Sequence, residues 1–336
     1  MTSKRPVERY PIESSPFYRM GRSADLARVL CVSQKKLTRL IVQRSALYRF
    51  DDREVEGKQR SLAVPTAGMR DLHERLKDLF SRIQLNEYLY SPRRGRSPVD
   101  NAEAHVGQKV IVKLDVRQFY PSTTDEHVFQ FFRYRLRMVE DVAGRLTKLC
   151  TINGKVPFGS PLSPILCALV HDDVFGRAAD MFRLDGCTMS LWVDDLTASG
   201  DVIRDAVVRD IKRLLRSKRL KTHKAVRTTG RRGLVVTGAF VGGHGVAPNN
   251  KAHKKMRDGL AQLSAASDRE TQLKLSQSLI GQTNYFLQVY RQSAQMTPRL
   301  KGRLSWLHSV RRAAESSDQT TSLFTGTADR NEPPPW

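Results

Sequence analysis

Apolar positions recur along this chain with two periods, about 3.6 and 2, and their alternation predicts an α+β protein. Leu26, Val29 and Leu30, then Leu37, Leu40, Ile41 and Leu47, mark two short amphipathic helices within residues 1–55. A turn at Gly57 opens an alternating strand that ends at Pro65, and Met69, Leu72, Leu76, Leu79, Phe80 and Ile83 follow at helical spacing. Val110–Leu114 reads as a strand stopping at Asp115, with helices expected from about 125 to 149. Residues 156–164 are too rich in Pro and Gly for regular structure and feed an apolar helix near Ile165. Met189–Val193 and Leu196–Ser199 flank Asp194-Asp195, which predicts a hairpin with carboxylates at its tip. A helix over 203–220, a strand pair or bent strand over 233–241 and a helical region over 251–314 complete the ordered part. Residues 315–336, with three consecutive prolines, read as a disordered tail.

Charge narrows the partner. The 336 residues hold 57 Lys and Arg against 34 Asp and Glu, a formal balance of +23, while 40% hydrophobic residues provide for packed cores. Such an excess predicts a polyanionic partner, because cations placed near phosphates release condensed counterions. The longest apolar run, Ile165–Val170, falls far short of the roughly 20 residues of a membrane-spanning helix. The start Met1-Thr2-Ser3-Lys4-Arg5-Pro6 leads into no signal-peptide core, so a cytoplasmic protein without a membrane partner is expected. Cys31, Cys150, Cys167 and Cys187 are widely separated and read as reduced core thiols.

Candidate chemistry lies in the carboxylates. One sheet can bring Asp115 and the Asp194-Asp195 pair to one edge, where three like charges repel and a divalent cation, most naturally Mg²⁺, relieves them. Two such ions about 3.5–4 Å apart would activate a hydroxyl and stabilise a leaving pyrophosphate. Taken alone, an Asp-Asp pair in a hairpin is equally good turn chemistry.

The pair does not stand alone. Leu114-Asp115-Val116-Arg117-Gln118-Phe119-Tyr120-Pro121-Ser122, Val156-Pro157-Phe158-Gly159-Ser160-Pro161-Leu162-Ser163-Pro164 and Trp192-Val193-Asp194-Asp195-Leu196-Thr197, with Lys224 thirty residues beyond Asp194, resemble in order the motif series of reverse transcriptases. Gly95-Arg96-Ser97, Asn101-Ala102-Glu103-Ala104-His105 and Val236-Thr237-Gly238 resemble segments of the retron branch, so the likeness covers roughly residues 55–310. It implies a right-hand polymerase: a helical N-terminal extension (1–55), fingers (56–107 with 145–165), a palm (108–243) and a helical, RNA-binding thumb (250–314).

Position by position, the resemblance assigns the metal ions to Asp115 and Asp194, with Asp195 completing the cluster and Val116 offering a backbone carbonyl. Tyr120 falls where the family places an aromatic gate against a ribose 2′-hydroxyl, which implies deoxynucleoside triphosphate substrates; it reads otherwise as a core aromatic. Lys58 and Arg60 match residues that meet the triphosphate, Gly159 and Pro161 the loop beneath the nascent base pair, and Lys224 a lysine at pyrophosphate, with Lys221 as a competitor. Two positions depart from the pattern: Phe158 stands where the family has Gln, and Trp192 where it has Tyr or Phe. Neither touches a metal ligand.

Ten cations and no acid between Lys212 and Arg232, among them Arg213, Arg216, Lys218 and Arg219, read as a phosphate-contacting surface. Tyr285 and Tyr290 read equally as thumb core or stacking platforms. The resemblance makes Asn101, His105, Val236, Thr237 and Gly238 RNA-binding determinants, although His105 also reads as a core histidine. His171-Asp172-Asp173 reads as an acidic spot without a partner strand. Retron likeness further implies a cognate structured non-coding RNA, priming from a 2′-hydroxyl within it, a branched RNA–DNA product and a separately encoded effector in anti-phage defence. The rivals are another bacterial reverse transcriptase, a non-catalytic RNA-binding scaffold marked by Phe158 and Trp192, and a basic membrane-surface protein.

Overall fold

The computed structural model describes residues 8–55, 58–223, 225–229 and 232–316. Helices α1 (Ser23–Val29) and α2 (Gln34–Val42) lead to strands β1 (Tyr48–Val55) and β2 (Lys58–Pro65), then α3 (Ala67–Phe80), β3 (Leu89–Ser91) and α4 (Pro98–Glu103). After β4 (Val110–Asp115) come α5 (Phe119–Ser122), α6 (Asp125–Gln130) with a π-helical turn at Phe131–Arg135, α7 (Glu140–Cys150), α8 (Ser163–Val170) and α9 (Asp172–Leu184). Strands β5 (Thr188–Trp192) and β6 (Asp195–Gly200), helix α10 (Asp205–Ser217) and strands β7 (Val226–Thr229), β8 (Leu234–Val236), β9 (Ala239–Gly242) and β10 (Gly245–Pro248) precede α11 (Asn250–Ala265), α12 (Arg269–Val289) and α13 (Met296–Glu315).

The chain forms two compact units. The first comprises residues 1–97 and 109–228, the second residues 98–108 and 229–336. In the first, a five-stranded sheet runs β3-β5-β6-β4-β7. Every residue of β6 from Leu196 to Gly200 is buried, the mark of a strand covered on both faces. The cover comes from amphipathic helices, for example α10 through Val208, Ile211 and Leu215 and α9 through Val174, Phe175, Ala178 and Phe182. β1 and β2 form a separate antiparallel ribbon. In the second unit, a three-stranded antiparallel sheet β10-β9-β8 accompanies helices whose core is Met256, Leu260, Leu279, Phe286, Leu300 and Leu307.

The structure differs from the sequence reading in several places. Residues 48–55 form β1 rather than part of a helical extension, because pairing with β2 satisfies a charge-rich strand that shows little apolar alternation. Residues 98–108, expected with the fingers, and 229–243, expected with the palm, both cluster with the second unit. The helices expected over about 125–149 are found, separated by a break between Arg135 and Glu140 where Arg137 takes a left-handed φ of 54°. The tail from 317 lies outside the described residues. Among the described residues, no helix is long and apolar enough to cross a membrane.

Candidate active site

Strand register assembles the acidic residues. β4 and β6 pair antiparallel with Asp115 opposite Asp195, and β5 and β6 pair with Trp192 opposite Asp195, so Val193 and Asp194 form a two-residue turn. Val116 N donates to Asp194 O at 3.0 Å, closing the turn onto the end of β4. Val193 takes φ 59°, a left-handed value at a turn position usually given to glycine, so the turn holds a β-branched residue under strain. On the other side, His223 N donates to Asp115 O at 2.9 Å and Arg117 N to Lys221 O at 2.8 Å. The end of β4 is thereby gripped from both flanks.

The three carboxylates have unlike surroundings. Asp115 is half-exposed, with His223 Nε2 3.4 Å from its Oδ2. The Asp195 side chain is 15% exposed, its Oδ2 lies 2.5 Å from Lys113 Nζ, and its Oδ1 is buried without a hydrogen-bond partner. Burial pushes the Asp195 pKa up; the Lys113 ammonium opposes this and the Asp115 charge adds to it. Among the described residues, no group of three or more His, Cys, Asp or Glu stands placed to hold a metal ion. Of the three carboxylates, Asp195 is paired with Lys113, while Asp115 faces His223.

Tyr120, on α5 beyond β4, is stacked on Phe158 with ring centroids 5.6 Å apart and planes 28° apart. Burial pushes its hydroxyl pKa up, and the Asp194 charge adds to the shift, so the ring stands close to the acidic turn. Phe158 O accepts from Ala63 N at 2.8 Å, which ties the Pro-rich loop to β2, the strand that carries Lys58 and Arg60. Gly159 takes φ +122°, and a Cβ there would stand 3.0 Å from Val64 Cγ2, so the site requires glycine. Behind the loop, buried His73 on α3 bonds Ser160 Oγ through Nδ1 at 2.6 Å and Leu149 O through Nε2 at 2.8 Å. The Leu149 carbonyl takes the ring's single proton, leaving Nδ1 to accept from Ser160. Burial lowers the His73 pKa to about 4. Lys58 and Arg60 have only their backbone described, and Lys224 lies outside the described residues.

The residues expected at RNA stand in two settings. In the second unit, Asn101 and His105 are fully buried, and burial lowers the His105 pKa to about 4. Thr237 Oγ1 donates to Pro98 O at 2.6 Å and accepts from Asn101 Nδ2 at 3.5 Å. Thr237 and Gly238, with φ of 45° and 89°, form the turn between β8 and β9, and Val236 is buried beneath it. Thr237 thus joins Asn101 and Pro98, Asn101, His105 and Val236 are buried, and Gly238 stays exposed at the turn. Arg291 pairs with Asp100 at 3.0 Å and with Glu103, and Tyr285 OH donates to Gly238 O at 3.0 Å. On and beside α10, Arg213 pairs with Asp210 at 3.0 Å, Lys218 with Asp173 at 3.2 Å and Arg219 with Glu126 at 3.0 Å. Arg216 is exposed. Three of these four cations therefore have carboxylate neighbours, two of which, Asp173 and Glu126, lie far away in sequence.

Sequence reasoning missed Lys113, His73 and His223. Lys113 had a signal: it lies two residues before Asp115, hence on the same strand face.

Residues 50–226 match the family model described as reverse transcriptase (RNA-dependent DNA polymerase). The chain is 27% identical over 179 residues to the Retron Se72 reverse transcriptase of Salmonella heidelberg (strain 579083-10), covering 52% of this chain and 47% of the relative. It is 24% identical over 192 residues to the Retron Ec86 reverse transcriptase of Escherichia coli, covering 56% and 60%, and 30% identical over 169 residues to the Retron Mx65 reverse transcriptase of Myxococcus xanthus, covering 43% and 38%. The chain thus spans about half the length of the curated relatives it matches.

Proposed function

The chain belongs to the reverse transcriptase (RNA-dependent DNA polymerase) family, and from that premise we propose that it is a retron-type RNA-directed DNA polymerase of right-hand fold. The observation that carries this reading is the register that sets Asp115 opposite Asp195 and closes the Asp194 turn onto Val116 N. In this reading Asp115 and Asp194, with the Val116 carbonyl, hold divalent metal, Mg²⁺ in two ions. Bound there, the metal supplies Lewis-acid activation of the primer hydroxyl and charge neutralisation at the leaving pyrophosphate. Asp195, neutralised by Lys113, shapes the edge without competing for the metal.

Tyr120 stacked on Phe158 forms the floor against which the incoming sugar packs, and its ring excludes a 2′-hydroxyl. Lys58 and Arg60 on β2 meet the triphosphate, and Lys224 the departing pyrophosphate. Gly159 lets the loop approach β2 closely, so the nucleotide floor and the triphosphate strand move as one body. The template is a cognate structured RNA, primed from one of its own 2′-hydroxyls and left joined to the DNA copied from it; a separately encoded effector in phage defence completes the proposal. Expression with several hundred flanking bases tests it. A short single-stranded DNA that shifts on RNase treatment is expected from the wild type and not from Asp194→Asn. Primer extension on RNA without a branched product would reduce the reading to a generic reverse transcriptase; no extension at all would overturn it.

A further inference from the structure

Two stretches that polymerase chemistry leaves unused carry the same interleaving of aromatic and arginine residues: Phe17-Tyr18-Arg19-Met20 and Phe132-Arg133-Tyr134-Arg135-Leu136-Arg137. The first unit brings them side by side, with Arg19 N donating to Leu136 O at 2.8 Å and Val139 N to Met20 O at 3.1 Å. Phe17, Met20, Phe132 and Leu136 turn into the core. What remains outside is Tyr18, Arg19, Arg133, Tyr134, Arg135 and Arg137.

These six are arranged, not scattered. The guanidinium groups of Arg19 and Arg137 stand 5.4 Å and 6.0 Å from the same Tyr18 ring centroid, and that of Arg133 stands 5.8 Å from Tyr134. Arg19 and Arg137 both adopt φ 54°, a left-handed conformation that side chains other than glycine rarely take and that tends to persist where function requires it. Among the described residues, Arg19, Arg133 and Arg137 form no ion pair, although half-buried Arg133 donates through Nη1 to Met138 O at 3.2 Å, and Arg135 approaches Asp172 at 3.8 Å. Tyr134 is 69% exposed, so much of its ring is open to solvent. Tyr134 and Arg135 also border a cavity of about 220 Å³ whose lining mixes apolar Phe131, Leu169 and Val170 with His127, Asp173 and Lys218.

Exposed aromatic faces flanked by arginines recognise unpaired bases by stacking and their backbone by charge. A duplex offers only its phosphates to such a surface and leaves Tyr134 unused. We propose that this surface is a binding site for unpaired RNA, with a base stacked on Tyr134 and phosphates held by Arg19, Arg133 and Arg137. The choice of RNA over DNA rests on the proposed function, in which the RNA is present throughout and DNA only after synthesis.

The full chain is titrated by fluorescence anisotropy with an unpaired RNA of about 12 nucleotides, the same sequence as DNA, and an RNA duplex. Tyr134→Ala should weaken unpaired RNA roughly 5- to 150-fold and leave the duplex unchanged, while Tyr134→Phe retains binding. Arg133→Ala/Arg137→Ala should reduce the slope of log affinity against log salt by about 1.4 for the unpaired strand. A photo-crosslinking 4-thiouridine in the RNA should map to residues 17–22 or 131–137. Crosslinks confined to other residues, an unchanged Tyr134→Ala affinity, an equal loss for duplex, or tighter binding of the DNA strand would each overturn the proposal. Primer extension is scored separately, so a protein that binds at this surface without synthesising DNA fails only the polymerase reading.

Discussion

Lys113 shows how a single side chain can decide which carboxylates are available. With its ammonium 2.5 Å from Asp195, the buried carboxylate is already compensated, whereas Asp115 has the His223 ring at 3.4 Å. Lys113→Met should destabilise the fold by about 1–3 kcal/mol, less than the roughly 3–5 of a fully buried broken pair because Lys113 retains some exposure. Combining it with Asp195→Asn should recover much of that loss, and the coupling is read by urea denaturation of both single variants and the double. Tyr120→Ala should admit ribonucleotides, measured as the ratio of kcat/KM for a ribo- and a deoxynucleoside triphosphate. That Asp115 meets the Asp194-Asp195 turn was legible from strands that end in carboxylates. Lys113, His73 and His223 were not, since their roles follow from register and packing between residues far apart in sequence.

At the scale of elements, the Pro-rich loop is held by two different neighbours: β2 through Ala63 N and α3 through His73. Gly159→Ala forces a methyl against Val64 at a left-handed φ and should lower both the melting temperature, by a strain cost of about 1–3 kcal/mol, and kcat/KM for the incoming nucleotide, about tenfold. Acid acts through the other neighbour. His73 and His171, lowered to about 4 and about 3 by burial, stay neutral in the folded state while the unfolded chain protonates near 6.5. The unfolded state then binds more protons, so stability is full above about 6.5 and falls as pH drops toward 4, by about 1.4 kcal/mol per unit for each histidine. Thermal melts across this range should show the loss, and His73→Gln should remove only its own share, about 1.4 kcal/mol per unit, leaving the shares of the other buried histidines. The longer helices and the 188–200 hairpin were legible from periodicity. β1 was not, because its Arg, Asp and Glu conceal a strand that only pairing stabilises, and β3, β7 and β10 are too short to carry a period.

For the whole molecule, the +23 balance remains the broadest constraint. If a structured RNA meets about 6–10 phosphates, affinity should fall roughly 10³- to 10⁵-fold between 50 and 200 mM salt, a range filter binding covers. A slope near zero would mean that the charge serves solubility alone. The two-unit division was the least legible feature. No local pattern announces that residues 98–108 pack with residues 229 onward, since the partners are set by the Thr237–Pro98 bond and the Arg291 ion pairs across more than a hundred intervening positions.

That division has a consequence for biosynthesis. A ribosome releases residues 98–108 long before the strands and helices that receive them, with 120 residues (109–228) emerging in between. At about 5–20 residues per second, the segment waits roughly 6–24 s without its partner. Its buried side chains, Val99, Asn101, Ala102 and His105, are meanwhile uncovered, while the first unit must close around a loop it does not keep. The nascent chain is therefore most vulnerable to proteases and chaperone capture at this one short stretch.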